Sequence, residues 1–237
     1  TARSACVTRP IERCSASMRS TWTRATRPAS SALSATIADA MPIARRMVAA
    51  LEALPEVECV QCCGSLRRFS ETIGDIDILT VSDRPAEVIE FFTSMAGVTA
   101  VMGAGATKAS VVVDDTMQVD LRVVDQDAFG AALLYFTGSK SHNIELRQLS
   151  LDRGWTLNEY ALTQVDGGEV VAAATEKDIY SALDLPWITP EVREGAGEIK
   201  AARNGTLPRP LEVEDIRGDL HVHTTWSGDG RSSMADI

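Results

Sequence analysis

No stretch of this chain holds 18 consecutive apolar residues, so no membrane-spanning helix is expected. No secretory signal is visible, which points to a reducing, cytoplasmic setting. Zinc ligands are in short supply. Cys59-Val60-Gln61-Cys62 is formally a CxxC pair, but no second pair and no nearby histidine completes a four-ligand set. The pair lies in the alternating run 57–63, which reads as a strand with buried cysteines. No internal repeat is apparent. Acidic residues are nearly missing from one end: residues 1–38 hold six Arg, no Lys, no Asp and only Glu12, a net of +5. The whole chain carries −10, so residues 39–237 carry −15. That body lacks the broad basic footprint of most nucleic-acid binders. Its positive charge is local, at Arg67, Arg68, Lys108, Arg122, Lys140, Arg147 and Arg153. The Arg- and Ser-rich, acid-poor start has the composition of a transit peptide or of a nucleic-acid-binding arm. It has no convincing apolar periodicity, and a divergent or disordered leader over 1–38 is the expectation.

What is present is concentrated. Cys63-Gly64-Ser65-Leu66-Arg67-Arg68 is followed at once by Gly74-Asp75-Ile76-Asp77-Ile78. In a strand, residues two apart point to the same face, about 6–7 Å apart at Cα. Asp75 and Asp77 would therefore project together, a suitable span for metal ions that sit about 3.5–4 Å apart in two-metal sites. The Gly-Ser backbone and Arg68 would meet a phosphate while the carboxylates hold metal. An acidic strand end beside a polar turn is the plainer reading of the same residues.

A third carboxylate stands in the next strand pair. Val111-Val112-Val113 and residues 117–124 flank Asp114-Asp115-Thr116, a hairpin signal. In the second strand Gln118, Asp120, Arg122 and Val124 share one face. Asp120 there either pairs with Arg122 as plain structure or joins Asp75 and Asp77 at a metal site, because an unpaired charge would be costly.

The segment 63–77 resembles the palm of family X DNA polymerases, and Asp75, Asp77 and Asp120 fall on that family's catalytic triad. Tyr135-Phe136-Thr137-Gly138-Ser139 matches its Tyr-Phe-Thr-Gly-Ser motif, and Asn158-Glu159-Tyr160 a further tripeptide. Gly218-Asp219-Leu220-His221-Val222-His223 looks like the opening of a PHP phosphoesterase domain. The resemblance runs from about Met41 to the end of the sequence.

The resemblance implies an α+β fold: a nucleotidyltransferase-like palm with a mixed β-sheet and packed helices over 41–126, then a small α/β nucleotide-closing subdomain over 127–204. Residues 205–237 would be a linker and the start of a PHP domain, cut short, and the DNA-end-binding domain that precedes the palm in relatives would be absent. The implied function is a repair-type DNA-directed DNA polymerase adding dNTPs to a primer 3′-hydroxyl on gapped or primer-template DNA, most simply as a monomer. Two Mg²⁺ ions would be held by Asp75 and Asp77, with Asp120 on the catalytic one; Mn²⁺ is the alternative, above all for a PHP domain. Gly64, Ser65, Arg68 and Gly74 would cradle the phosphates. Tyr135, Phe136 and Gly138 would line the sugar side, Asn143 would reach the base edge, and Arg147 and Lys140 the DNA. His221 and His223 would begin a PHP metal site whose other ligands are not here. A non-templated nucleotidyltransferase and an inactive nucleotide- or DNA-binding fragment are the alternatives. Two departures stand out: Phe69 follows the Arg pair where relatives have a small residue, and Gln118 replaces a basic one.

Element by element, Ile43, Met47, Val48, Leu51 and Leu54 follow helical spacing, and helices are expected near 86–95, 128–135 and 141–153. Residues 155–171 read as a hairpin turning at Asp166-Gly167-Gly168. Thr175-Glu176-Lys177-Asp178 resembles a capping box opening a helix to Leu183, with Pro186 blocking its continuation.

Overall fold

Near the start of the described residues stands a helix that its own sequence caps. The computed structural model describes residues 35–218 and 221–235. Residues 1–34 of the leader expected over 1–38, and Asp219-Leu220 just before the His-x-His pair, lie outside them. Residues 35–38, the end of that expected leader, are instead a short strand and the start of a helix. After the short strand β1 (Ala35–Thr36), helix α1 runs Ile37–Glu52. Thr36 accepts from the Asp39 backbone N–H while the Asp39 side chain takes the Thr36 N–H, a reciprocal box with Asp in the Glu/Gln place. Its buried stripe is Ala40, Ala44, Met47 and Leu51. The expected stripe is thus half right: alanines supply the rest, and Leu54 falls past the last turn.

Next come β2 (Cys59–Cys62), a single helical turn α2 (Gly64–Arg67), β3 (Thr72–Ile73), which pairs with β1, and β4 (Ile76–Val81). Helix α3 (Pro85–Ser94) starts on a proline, whose fixed φ suits a first turn. Strands β5 (Val98–Ala104), β6 (Lys108–Val113) and β7 (Met117–Val124) complete a sheet of order β2-β4-β7-β6-β5. Only the central β4–β7 pair is parallel; the other pairs are antiparallel. β7 alternates buried and half-buried residues along its length, as its sequence pattern demands. The mixed sheet with packed helices is the α+β arrangement expected.

The second half starts with α4 (Phe129–Thr137), which is apolar nearly all round and buried accordingly. A Cβ at Gly130 would sit 2.3 Å from the Thr175 backbone, so only glycine lets this helix lie against the start of α6. Then follow α5 (Lys140–Leu151), strands β8 (Trp155–Leu157), β9 (Leu162–Gln164) and β10 (Val170–Ala172), α6 (Glu176–Ala182) and α7 (Glu198–Arg203). The hairpin expected over 155–171 is a three-stranded antiparallel meander, β10-β9-β8. The extra turn is made by Asn158, whose Oδ1 accepts from the backbone N–H of Tyr160 (2.8 Å) and Ala161 (3.0 Å). Leu134, Leu146, Leu162, Ile179, Leu183 and Ile188 form the core between this sheet and its helices.

Contacts divide the described residues into two compact units, 35–208 and 209–235. Each is described by itself. The second holds one 3₁₀ turn, Val213–Asp215, and a single bridge, Thr224 to Ser232.

Candidate active site

Asp77 lies on β4 and Asp120 on β7, and the parallel register sets them directly opposite one another. Neighbouring strands run about 4.8 Å apart, so both side chains rise on one face at close range. Asp75 stands in the turn just before β4, not within it, yet still joins the group. One carboxylate oxygen from each of Asp75, Asp77 and Asp120 lies within 4.8 Å of the others. Among the described residues none of the three is in an ion pair, so Arg122 is not the simple partner of Asp120. Instead the Arg122 guanidinium stacks 4.9 Å from the Phe136 ring centroid. Gln118, the departure from a basic residue, donates to Asp120 Oδ1 at 2.9 Å and brings no charge.

The electrostatics follow. Burial, then the Asp75 and Asp120 carboxylates, push Asp77 up to about 7; Arg68 and Arg122 oppose this and lose. Burial and Asp120 also raise Asp75. The donor set fits a hard divalent cation: three carboxylates, all oxygen, crowded together and, among the described residues, in no ion pair. A cleft of about 170 Å³ opens beside them, lined by Asp77, Asp120, Lys108, Arg122 and Phe136.

Gly64 has φ +61°, and a Cβ there would come 2.3 Å from Asp77 Oδ2. The Gly-Ser step is therefore glycine because the backbone passes against the central carboxylate. What reads as a turn is the helical turn α2, which aims its two arginines differently. Arg67 makes a bidentate pair with Glu176, 2.9 Å on each oxygen, and reaches Thr137 Oγ1 at 2.5 Å. Arg68 donates from Nη1 to the Thr137 carbonyl (2.6 Å) and from Nε to Glu194 (2.7 Å).

Phe69 ends that turn with φ 54°, in the left-handed region where a side chain is strained and glycine is not. Its ring is mostly exposed, with 57% of the residue accessible. Phe69→Gly should therefore stabilise the protein by roughly 1 kcal/mol, since the relieved strain outweighs the little packing lost. A urea midpoint unchanged or lowered in the variant would show that the ring is anchored.

The Tyr-Phe-Thr-Gly-Ser segment closes α4 and opens α5. Tyr135 and Phe136 meet edge to face, ring centroids 5.1 Å apart. Asn143 Nδ2 donates to the Tyr135 carbonyl at 2.7 Å, and Arg147 Nε to the Asn143 carbonyl at 3.3 Å. Lys140 and Arg147 are exposed. At Gly138 the Arg68 guanidinium would lie 3.3 Å from an added Cβ. Asp75, Asp77, Asp120, Gly64, Arg68, Phe136 and Gly138 are thus interlinked. Gly74 meets nothing within 4 Å of an added Cβ, and the fold itself gives no reason for glycine there.

Sequence reasoning missed the acids that hold the arginine pair. Glu176 is buried and accepts from Arg67, from Arg193 Nη1 (2.6 Å) and from Trp187 Nε1 (3.1 Å). Burial alone would raise its carboxyl, but Arg193 and Arg67 win and hold it far below the usual range. Its only signal was the helix start around Thr175, where Thr175 does accept from the Asp178 N–H. Glu194 carried no signal at all.

In the second unit, the His221 and His223 rings lie 4.8 Å apart, and His223 Nδ1 pairs with Asp229 at 2.9 Å. Among the described residues the aspartate triad is the group with three ligands in reach of one ion.

Two carboxylates from paired parallel strands, a third just before β4, a Gly-Ser step and two arginines thus stand together. The model of the DNA polymerase beta thumb matches residues 132–194. Over 200 residues the chain is 36% identical to "DNA polymerase/3'-5' exonuclease PolX" of Bacillus subtilis (strain 168), covering 84% of this chain and 35% of that protein. It is 29% identical over 176 residues to DNA polymerase lambda of Rattus norvegicus, 59% of this chain and 29% of that one. A shorter match of 78 residues, 38% identical, reaches the DNA-directed DNA/RNA polymerase mu of Homo sapiens. The chain belongs to the family X DNA polymerases, in their bacterial branch. It spans about a third of the length of the bacterial relative.

Proposed function

We propose that this chain carries the catalytic part of a repair-type DNA-directed DNA polymerase that adds dNTPs to a primer 3′-hydroxyl. The observation that carries the reading is the Asp77–Asp120 register match, with Asp75 alongside and Gly64 packed against Asp77. Asp75, Asp77 and Asp120 would hold Mg²⁺, two ions in all. Bound there, Mg²⁺ supplies Lewis-acid activation of the primer hydroxyl and neutralises charge on the phosphates.

The chain's own groups do the rest. Gly64, Ser65, Arg68 and Gly74 cradle the leaving phosphates, where fixed positive charge is worth most. To do so Arg68 exchanges the Glu194 carboxylate for phosphate oxygen. Tyr135, Phe136 and Gly138 face the sugar, Asn143 the base edge, and Lys140 and Arg147 the gapped or primer-template DNA. Residues 205–237 fit a linker and the opening of a PHP domain, with His221 and His223 as its first ligands and Mn²⁺ as the metal alternative. A monomer in the cytoplasm completes the reading.

Primer extension on gapped DNA, omitting one dNTP at a time, tests this. Template-directed addition that halts at the omitted nucleotide is expected. Addition that ignores the template would make the chain a non-templated nucleotidyltransferase, and dNTP binding without addition an inactive fragment. In the same assay Arg68→Ala should raise the KM for dNTP about ten- to a hundredfold, the worth of a charge-assisted contact at roughly 1.5–3 kcal/mol. Matching kinetics at sub-saturating dNTP would remove Arg68 from the phosphate site.

A further inference from the structure

Asn143 and Arg147 sit on α5, and the group that fixes the first turn of that helix is the residue before Asn143. His142 is wholly buried, and each of its ring nitrogens has one partner. Nδ1 lies 2.7 Å from Glu198 Oε1, and Nε2 lies 2.7 Å from the Tyr180 hydroxyl. Glu198, the first residue of α7, also takes the backbone N–H of Gly195 (2.9 Å) and of Ala196 (2.7 Å). The Ser139 hydroxyl accepts from the His142 N–H at 3.3 Å. One imidazole thus ties the start of α5 to both α6 and α7.

The proton positions follow from the partners. A carboxylate only accepts, so Nδ1 carries the hydrogen toward Glu198. Nε2 then offers its lone pair, and the Tyr180 hydroxyl donates to it. Burial holds His142 down at about 4 against the pull of Glu198, so the ring is neutral at neutral pH. Filling this space with leucine would satisfy packing alone. Burying an imidazole, a phenol and a carboxylate is costly unless all are bonded, and a fully bonded set admits one arrangement. None of the three groups takes part in the carboxylate site.

We propose that His142 is a positioning residue: through Glu198 and Tyr180 it sets the rotation and depth of α5, so that Asn143 and Arg147 meet the incoming nucleotide and the template. This rests on the reading of Asn143 as a nucleotide contact. The experiment compares wild type, His142→Phe and His142→Asn by primer extension with dNTP titration, and by NMR of the His142 ring nitrogens and the Asn143 side-chain amide. His142→Phe should raise the dNTP KM about tenfold and leave kcat within about twofold, as loss of uniform binding does. His142→Asn, which can donate to Glu198 from the place of Nδ1, should recover most of that loss. An unchanged KM in folded His142→Phe, or a loss confined to kcat, overturns the assignment. If His142→Phe does not fold, Tyr180→Phe removes only the hydroxyl, and its KM decides in the same way. If wild type extends no primer, the polymerase reading fails, and NMR then judges His142 alone. A hydrogen on Nδ1, and an Asn143 amide shifted in His142→Phe but close to wild type in His142→Asn, are expected; a hydrogen on Nε2 instead, or an Asn143 amide unmoved in His142→Phe, overturns it.

Discussion

Replacing Asp77 by alanine should cut primer extension by a thousandfold or more, on the order of 4 kcal/mol of barrier. Asp77 is the middle member of the trio: it faces Asp120 across the β4–β7 register and touches the Gly64 backbone. Without it the remaining two carboxylates no longer enclose an ion. The same change should not weaken the metal-free fold. Asp77 is pushed up to about 7 from an ordinary 3.8, so the folded state keeps a proton that the unfolded chain has lost. As pH rises from about 4 to about 7, the unfolded state gains, and above 7 the penalty of three ionised neighbours is complete. At pH 8 without metal, Asp77→Ala should therefore melt a few degrees higher than wild type. Millimolar Mg²⁺ should raise the wild-type melting temperature and leave the variant nearly unmoved. A variant that extended primers normally, or gained as much from Mg²⁺, would place the metal elsewhere.

Glu176→Ala should lose about 3–5 kcal/mol of stability, the usual result of removing one partner from a buried ionic cluster. Arg193 is wholly buried, and its Nη2 already lacks a partner among the described residues. Taking away Glu176 would leave that guanidinium and most of Arg67 uncompensated. The urea midpoint should fall by about 1–2 M. Glu176→Gln keeps the shape and one acceptor and should fall between the two. A loss under about 1 kcal/mol for the alanine variant would mean that water reaches the arginines, contrary to their burial.

These two sites differ in how legible they were. Asp75 and Asp77 show themselves by spacing, and Asp120 by standing on the half-buried face of a strand whose period is plain. Their meeting depends on a parallel pairing of distant segments, which no local pattern encodes. Gly64 was visible as a turn residue, but its reason, the approach to Asp77, is tertiary. β5 was overlooked because its residues are mostly exposed and its apolar alternation is weak. The Asn158 turn was hidden by reading one hairpin where three short strands lie. Glu176 showed only as part of a helix start, since local sequence says nothing of which helix ends meet two arginines. Glu194 and His142 gave less still: burial and partners decide what they do, and both come from parts of the chain far away.

The arginine pair on α2 has a consequence for the order in which the molecule is built. All three aspartates have been synthesised once β7 is complete at Val124. Arg67 waits for Glu176, 109 residues along the chain, and Arg68 for Glu194, 126 residues along. At roughly 5–20 residues per second, the 70 residues from Val124 to Glu194 take about 4–14 s of translation. During that interval the carboxylates exist without the acids that aim their arginines. The nascent chain thus acquires its acidic trio first and its arginine geometry later, and a ribosome stalled before Glu194 carries a palm sheet whose Arg68 has not met its acid.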